Sequence, residues 1–417
     1  MNLVLRGVTL FSGEQRDLFV LGTRLVDDVP AAPQVIDARG LIALPGLVDP
    51  HAHLREPSED HAEPAETIAS ATTAAARGGF TAVAAMPNTT PACNGPDDVQ
   101  WLLARARAVG AAARVVPIGA VTTDRAGKEL ADLAGMAGVG VRLFSDDGAA
   151  VATPDLLREA LLTVKHFGSA IADHCQDPAL AGPGAWNPDD NWPTAAETSI
   201  VARDIQVAKD TGGRIHLCHL SCAESVELVR QAKADGVHVT AEVTPHHLLL
   251  TADNLADGNP AFKVNPPLRH IDDVEALRAG LADGTIDMIG TDHAPHRGAD
   301  KAKPIAEASP GFTGLEQGLA VIIETMVNTG RFNWADVARV MSQAPARLLR
   351  LTNQGRPLLP DDPATLTLID PSRRAIVSAD DTASLARNNP YVGLDLPDPV
   401  MMTIWGGRVT HQAPSVH

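Results

Sequence analysis

Between about residues 41 and 300, short apolar runs ending in polar clusters alternate with longer segments rich in Ala and Leu. Such alternation encodes strand, helix and parallel strand in turn, and its repetition specifies a parallel sheet covered by helices. Eight runs qualify as strands: "GLIALPGLVDPHAH", "GFTAVAAMPNT", "ARVVPIGAVTT", "GVGVRLFSDDG", "SAIADHCQD", "RIHLCHLS", "HVTAEVTPHH" and "IDMIGTDHAPH". All but the third carry His, Asp or Asn near the C-terminal end. In a closed (β/α)8 barrel those ends converge on one mouth, to which several strands contribute side chains. An open doubly wound sheet would gather them at a single switch point and would need a phosphate-binding glycine pattern, which the sequence lacks. The expectation is an α/β fold of TIM-like (β/α)8 type. Segments such as "AETIASATTAAARGG", "PDDVQWLLARARAVG" and "SIVARDIQVAKDTGG" each run into Gly, which suits a helix stop before the next strand.

The chain ends read differently. Residues 1–44 and 352–417 give short β-like runs, among them "ATLTLID", "RAIVSAD" and "VMMTIWGGRVTHQ". They are expected to pair into a small β-sandwich domain beside a barrel spanning 45–351, with the helix "NWADVARVMSQAPARLLRL" leading back into it. A chain of 417 residues is long enough for both.

Charge narrows the partners. Against 51 acidic residues stand 34 basic ones, a formal charge of -17, which argues against a nucleic-acid or anionic-membrane surface. An anionic substrate must then be held by local Arg, His or metal charge. The N-terminal "MNLVLRGVTLFSG" does not read as a signal peptide, and no apolar run reaches membrane-spanning length, so a cytoplasmic setting is expected. Cys93, Cys175, Cys218 and Cys222 are too few and too irregular for a disulfide framework and read as reduced, partly buried thiols.

In "GLVDPHAHLREP", Asp49, His51, His53 and Arg55 fall at every second position. On an extended strand these four share a face, and an H-x-H pair can place two imidazoles on one metal ion. In a chain with 15 histidines that pattern alone is weak. It gains weight because His174, His219 and Asp292 end the fifth, sixth and eighth candidate strands. Four His and one Asp exceed what one catalytic zinc with three protein ligands takes, which indicates two metals. Two cations so close need a bridging anion. The fourth strand contains no Lys and ends in Asp146 and Asp147, either of which supplies one negative charge.

Taken in order over nearly the whole chain, "DPHAHLREP", "MPNT", "HCQD", "CHLS", "EVTPHHLLLT", "FKVNPPLR" and "IGTDHAPH" resemble the motif series of bacterial dihydroorotases of the amidohydrolase superfamily. Many members of that superfamily bridge their metals with a carboxylated lysine on strand four. "SDDG" resembles instead the type I dihydroorotases, whose aspartate does so, which implies Asp147, with Asp146 as the fallback. The resemblance implies Zn²⁺, two per chain or one, on His51, His53, Asp147, His174, His219 and Asp292. It implies that His53, Arg55, Asn88 and His296 bind the substrate at its carboxylate side, and that Asn265 with the backbone of Pro310 and Gly311 surrounds the pyrimidine ring. Asp292 is then general base and afterwards general acid. The implied reaction is reversible hydrolysis of the cyclic amide of (S)-dihydroorotate to N-carbamoyl-L-aspartate in pyrimidine synthesis, commonly by a homodimer.

Two other readings compete. A hydantoinase or allantoinase shares fold and chemistry, but its strand-four lysine is absent, and Arg55 with Asn88 favours an acidic substrate. A catalytically silent dihydroorotase-like scaffold for aspartate carbamoyltransferase loses metal ligands, whereas this chain keeps them; association with that partner stays open. His246, His247 and His293 are set aside as ligands because the site is already full. The acidic stretch 58–66, with His61, departs from the family pattern near the site mouth.

Overall fold

The barrel strands are β1 (Leu47–Ala52), β2 (Phe80–Ala85), β3 (Arg114–Pro117), β4 (Leu143–Phe144), β5 (Ala170–Asp173), β6 (Ile215–Leu217), β7 (Val239–Val243) and β8 (Met288–Ile289). The computed structural model describes residues 1–28, 32–58, 63–181 and 193–414; His61 lies outside them. All neighbouring pairs within β1–β3 and within β4–β8 are parallel. Two isolated parallel bridges join these sheets into a ring. Gly119 pairs with Phe144 between β3 and β4, and Ala52 pairs with His293 between β1 and β8. At the second junction the His53 amide donates to the His293 carbonyl at 2.9 Å.

The strands are short and apolar because both faces are covered, by the barrel interior and by the helices. A helix follows each strand, beginning with Ile68–Arg77, Pro96–Ala108 and Leu133–Gly138. Local signals set their ends. Thr67 accepts from the Ser70 amide, Thr153 accepts from the Leu156 amide ahead of Pro154, and Thr194–Thr211 stops at Gly212 with φ +60. Ala71, Ala74 and Ala75 of the first helix and Val83 of β2 lie in one buried cluster with Leu157, Leu161, Val201 and Leu277 from later crossovers.

The first candidate strand is in fact two. Ile42–Pro45 pairs antiparallel with Leu366–Ile369 and parallel with Asn2–Leu10, while β1 starts at Leu47. Gly46 makes the break: a Cβ there would stand 2.3 Å from Thr81 Oγ1, so only glycine lets the backbone pass so close to β2. Ile42–Pro45 belongs to an eight-stranded sheet built from both chain ends, ordered Arg408–Gln412, Val400–Trp405, Leu366–Ile369, Ile42–Pro45, Asn2–Leu10, Gln15–Leu21 and Arg24–Val26, with Gln34–Asp37 also on Asn2–Leu10. Leu3, Leu5, Val20, Leu366, Leu368, Met402 and Ile404 form its buried core. "RAIVSAD" does not join it; Arg374–Ile376 pairs with Asp395–Pro397 in a separate ribbon. All four cysteines are free and buried. No helix among the described residues is long and apolar enough to cross a membrane.

Candidate metal centre

His51 sits on β1 and His53 one step past it, while Asp147, His174, His219 and Asp292 follow the ends of β4, β5, β6 and β8. All six are buried. The barrel brings their donor atoms together. Asp292 Oδ1 lies 2.9 Å from His53 Nε2 and 3.5 Å from His51 Nε2. Asp147 Oδ1 faces His51 Nε2 at 3.3 Å, His174 Nδ1 at 3.5 Å and His219 Nε2 at 3.8 Å, and its Oδ2 faces His53 Nε2 at 3.5 Å. His174 Nδ1 and His219 Nε2 are 3.0 Å apart. Donors of a tetrahedral ion at about 2.1 Å stand roughly 3.4 Å from one another, so these separations fit coordination. Among the described residues three triplets are close enough to hold an ion: His51 with His53 and Asp292, His51 with Asp147 and His219, and His51 with Cys218 and Glu242. His51 Nε2 and Asp147 Oδ1 are buried without a hydrogen-bond partner, a costly state that a cation relieves.

In His51, His53 and His174 the far nitrogen is occupied, which aims the near one. Glu242 on β7 takes His51 Nδ1–H at 2.5 Å and His216 Nε2–H at 3.1 Å. Asn88 Oδ1 takes His53 Nδ1–H at 2.9 Å, and Gln176 Oε1 takes His174 Nε2–H at 3.1 Å. Such partners fix the tautomer and raise ligand basicity. Glu242 and Gln176 escaped the sequence reading. The signal for Glu242 was the single charged residue in the strand "VTAEV". Cys218 approaches His51 and Glu242 closely, but burial pushes its thiol far up, so the uncharged form prevails.

The two strand-four aspartates face different ways. Asp146 Oδ1 accepts from the Val121 and Thr122 amides at 2.9 and 3.0 Å, and its Oδ2 takes the Thr122 hydroxyl, which ties the turn to the loop after β3. Asp147 alone enters the histidine cluster. Asp49 stays behind it, accepting from Thr291 through N and Oγ1 and from the His51 amide. Burial raises its pKa to about 6. His247 bonds Thr244 Oγ1 and the Pro266 carbonyl, and His293 bonds Glu66 and the Gly314 amide, so neither is aimed at the cluster.

Electrostatics suit a cation site. Burial disfavours the charged form of Asp147, but His51 and its neighbours outweigh it and hold the carboxyl well below the usual range. Asp292 is likewise held down, against burial, chiefly by His53 and His51. Both are therefore ionised at neutral pH.

Arg55 does not gain its direction from strand parity, as the alternating pattern suggested. β1 ends at Ala52, and Arg55 adopts φ +54, a left-handed turn that carries its side chain beside the Pro295 carbonyl, 3.2 Å from Nε. His219 at φ +33 and Asp292 at φ +46 are also left-handed, and such strain in non-glycine residues concentrates at functional sites. Asn88 Nδ2 donates to Asp147 Oδ2 at 3.4 Å, and Asn265 Nδ2 donates to Gln176 Oε1 at 2.9 Å. His296 donates through Nε2 to the Pro310 carbonyl at 2.7 Å. The Gly311 amide donates to the Lys263 carbonyl at 3.0 Å. Two further residues serve this rim. Asn388, from the C-terminal segment, donates to the Ala294 and Gly311 carbonyls at 2.9 and 3.0 Å, and Arg125 donates to the Asp147 carbonyl at 2.6 Å.

A ring of parallel strands with a buried His and Asp cluster suited to a metal centre at its C-terminal mouth defines a hydrolase of the amidohydrolase type, and the model of the amidohydrolase family matches residues 189–410. The dihydro-orotase-like model matches residues 40–225. The chain is 45% identical to the dihydroorotase of Mycobacterium leprae, with 98% of each chain covered, and 45% identical to that of Streptomyces coelicolor, with 98% and 96% covered. This chain belongs to the dihydroorotase family and is a cyclic amide hydrolase. Among solved structures, its fold is similar to the L-hydantoinase of Arthrobacter aurescens, with TM-score 0.89, 24% identity, and 100% and 97% of the two chains covered. It is similar also to the dihydropyrimidinase of Brevibacillus agri, with TM-score 0.87, 21% identity, and 99% and 95% covered.

Proposed function

We propose that the protein hydrolyses the ring amide of (S)-dihydroorotate reversibly to N-carbamoyl-L-aspartate, as a type I dihydroorotase. The observation that carries this reading is Asp147, buried among four imidazoles where a carboxylated lysine would stand in other amidohydrolases, with its two oxygens turned to different histidines. His51, His53 and Asp292 would hold one ion, His174 and His219 the other, and Asp147 would bridge them. When bound, the centre supplies a water activated at neutral pH and polarises the amide carbonyl. Asp292, ionised and 2.9 Å from His53, would accept a proton from the attacking water and deliver it to the ring nitrogen as the C–N bond breaks.

Arg55, Asn88 and His296 bind the substrate carboxylate, Arg55 by its planar fork, and His53 borders the same side. Asn265 and the Pro310–Gly311 backbone border the ring. Two Zn²⁺ per chain, a homodimer and a cytoplasmic setting belong to the same reading and rest on the family resemblance. The test is turnover of metal-loaded protein against dihydroorotate, hydantoin and allantoin. Preference for dihydroorotate is expected, and preference for either neutral ring overturns the substrate assignment.

A further inference from the structure

Lys301 ends a short helix, Gly298–Lys301, in the long loop after β8, and is buried. Its side chain turns inward. Nζ donates to the carbonyls of Lys263 at 3.0 Å, Ser309 at 3.2 Å and Gly311 at 3.2 Å, and lies 5.5 Å from the centre of the Phe312 ring. An ammonium has three protons, and here each meets one carbonyl. The acceptors come from two separate stretches of chain. Lys263 stands two residues before Asn265, and Ser309 and Gly311 flank Pro310. The Lys263 carbonyl also accepts from the Gly311 amide, so the two stretches are stitched at one point by a charged and an uncharged bond. Gly311 itself has no slack: its φ is +142, and a Cβ would lie 2.8 Å from His296 Nε2.

We propose that Lys301 is a positioning residue for substrate binding, its ammonium acting as a staple that holds the Pro310–Gly311 backbone at a fixed distance from the Asn265 loop. This rests on the reading above that the ring lies between those two stretches. Lys301 touches neither the ring nor the carboxylate. Its action is to keep the slot at the right width before substrate arrives, so its loss weakens binding more than it slows the chemistry.

The charge state matters to the staple. A neutral amine keeps two protons and turns a lone pair toward the third carbonyl, which repels it. Burial, and next the Lys263 ammonium, push the pKa of Lys301 down to about 7. The groups facing it are Lys263, bonded to the Ala306 carbonyl, and His296, held neutral with its pKa at about 3 by burial and Arg55. Asp300 and Lys303 on its own segment pair with each other, and Asp300 pairs also with Arg297.

The experiment compares metal-loaded wild type with Lys301→Met, measuring KM and kcat for dihydroorotate from pH 6 to 9 and hydrogen-exchange protection of the Gly311 amide. The expected result is a KM about tenfold higher in Lys301→Met with kcat within about twofold. Gly311 protection falls, and the wild-type KM rises above about pH 7 with a step the variant lacks. A folded Lys301→Met with wild-type KM and Gly311 protection, or parallel KM profiles in the two proteins, overturns the proposal. Should Lys301→Met not fold, a wild-type KM and Gly311 protection factor that stay flat through the same range overturn it as well. Wild-type protein that opens no dihydroorotate refutes the substrate assignment instead, and the Gly311 protection then decides the staple alone.

Discussion

Glu242 gives the most direct test of how the metal centre is built. Its carboxylate is buried between His51 Nδ1 and His216 Nε2, accepting a hydrogen bond from each. Glu242→Gln keeps the volume. The amide oxygen can still take His51 Nδ1–H while the amide nitrogen faces His216, whose other nitrogen can then donate to Thr240 Oγ1, 2.9 Å away. Only the negative charge is lost, and partners of this kind set metal affinity by roughly 10- to 100-fold, so the Gln variant belongs near the tenfold end. Glu242→Ala removes both bonds, leaves a cavity and frees the His51 ring to rotate or change tautomer. It belongs near a hundredfold, or about 2.7 kcal/mol. The assay is titration of metal-free protein with Zn²⁺ against a competing chelator, with a thermal melt of each metal-free variant to establish that it folds. Turnover at saturating metal should recover substantially in the Gln variant. Folded Glu242→Ala that binds metal within about twofold of wild type would refute the claim that this carboxylate aims His51.

Other outcomes follow from the same contacts. Asp292→Asn should retain the fold and lose about a thousandfold in turnover, since the amide cannot carry the proton; near-normal turnover would place the proton carrier elsewhere. Arg55→Met should raise KM for dihydroorotate by roughly thirtyfold, about 2 kcal/mol for a lost charge-assisted pair, and an unchanged KM would remove Arg55 from the carboxylate site. In metal-free protein the Glu242 pKa, opposed by burial but lowered by His51 and His216, is about 2 rather than 4.5. A depressed acid stabilises the fold fully above the unfolded value and loses that as pH falls through the folded one. The difference in denaturant stability between wild type and Glu242→Gln should therefore narrow by up to about 3 kcal/mol between pH 4.5 and 2, and a pH-independent difference would contradict it. Gly46→Ala drives a methyl onto Thr81, whose hydroxyl is held by the Leu47 carbonyl and Gln354. A loss of about 2 kcal/mol is expected in chemical denaturation, and an unchanged midpoint would mean the break at Gly46 tolerates a side chain.

The strand-and-helix rhythm, the glycine stops and the polar strand ends are local properties, so the sequence alone determined a parallel barrel with His51, His53, His174, His219 and Asp292 at its mouth. Such residues are legible because the end of a parallel strand can face only one way along the barrel axis. What lies beyond one strand's reach was decided by tertiary structure. Gly46 divides one apolar run between two sheets because Thr81 of β2 leaves no room for a side chain. Arg55 reaches the mouth through a left-handed turn, past the point where strand alternation governs direction. Asp146 and Asp147 are equivalent in composition, and the Val121 and Thr122 amides, engaging the first, leave the second to the histidines. Glu242, Lys301 and Asn388 act on groups far away in the chain, and closure of the barrel with the return of the C-terminal segment brings them there. A side chain's periodicity tells which way it points from its own backbone, but its partner is set by the packing of elements that local sequence does not encode.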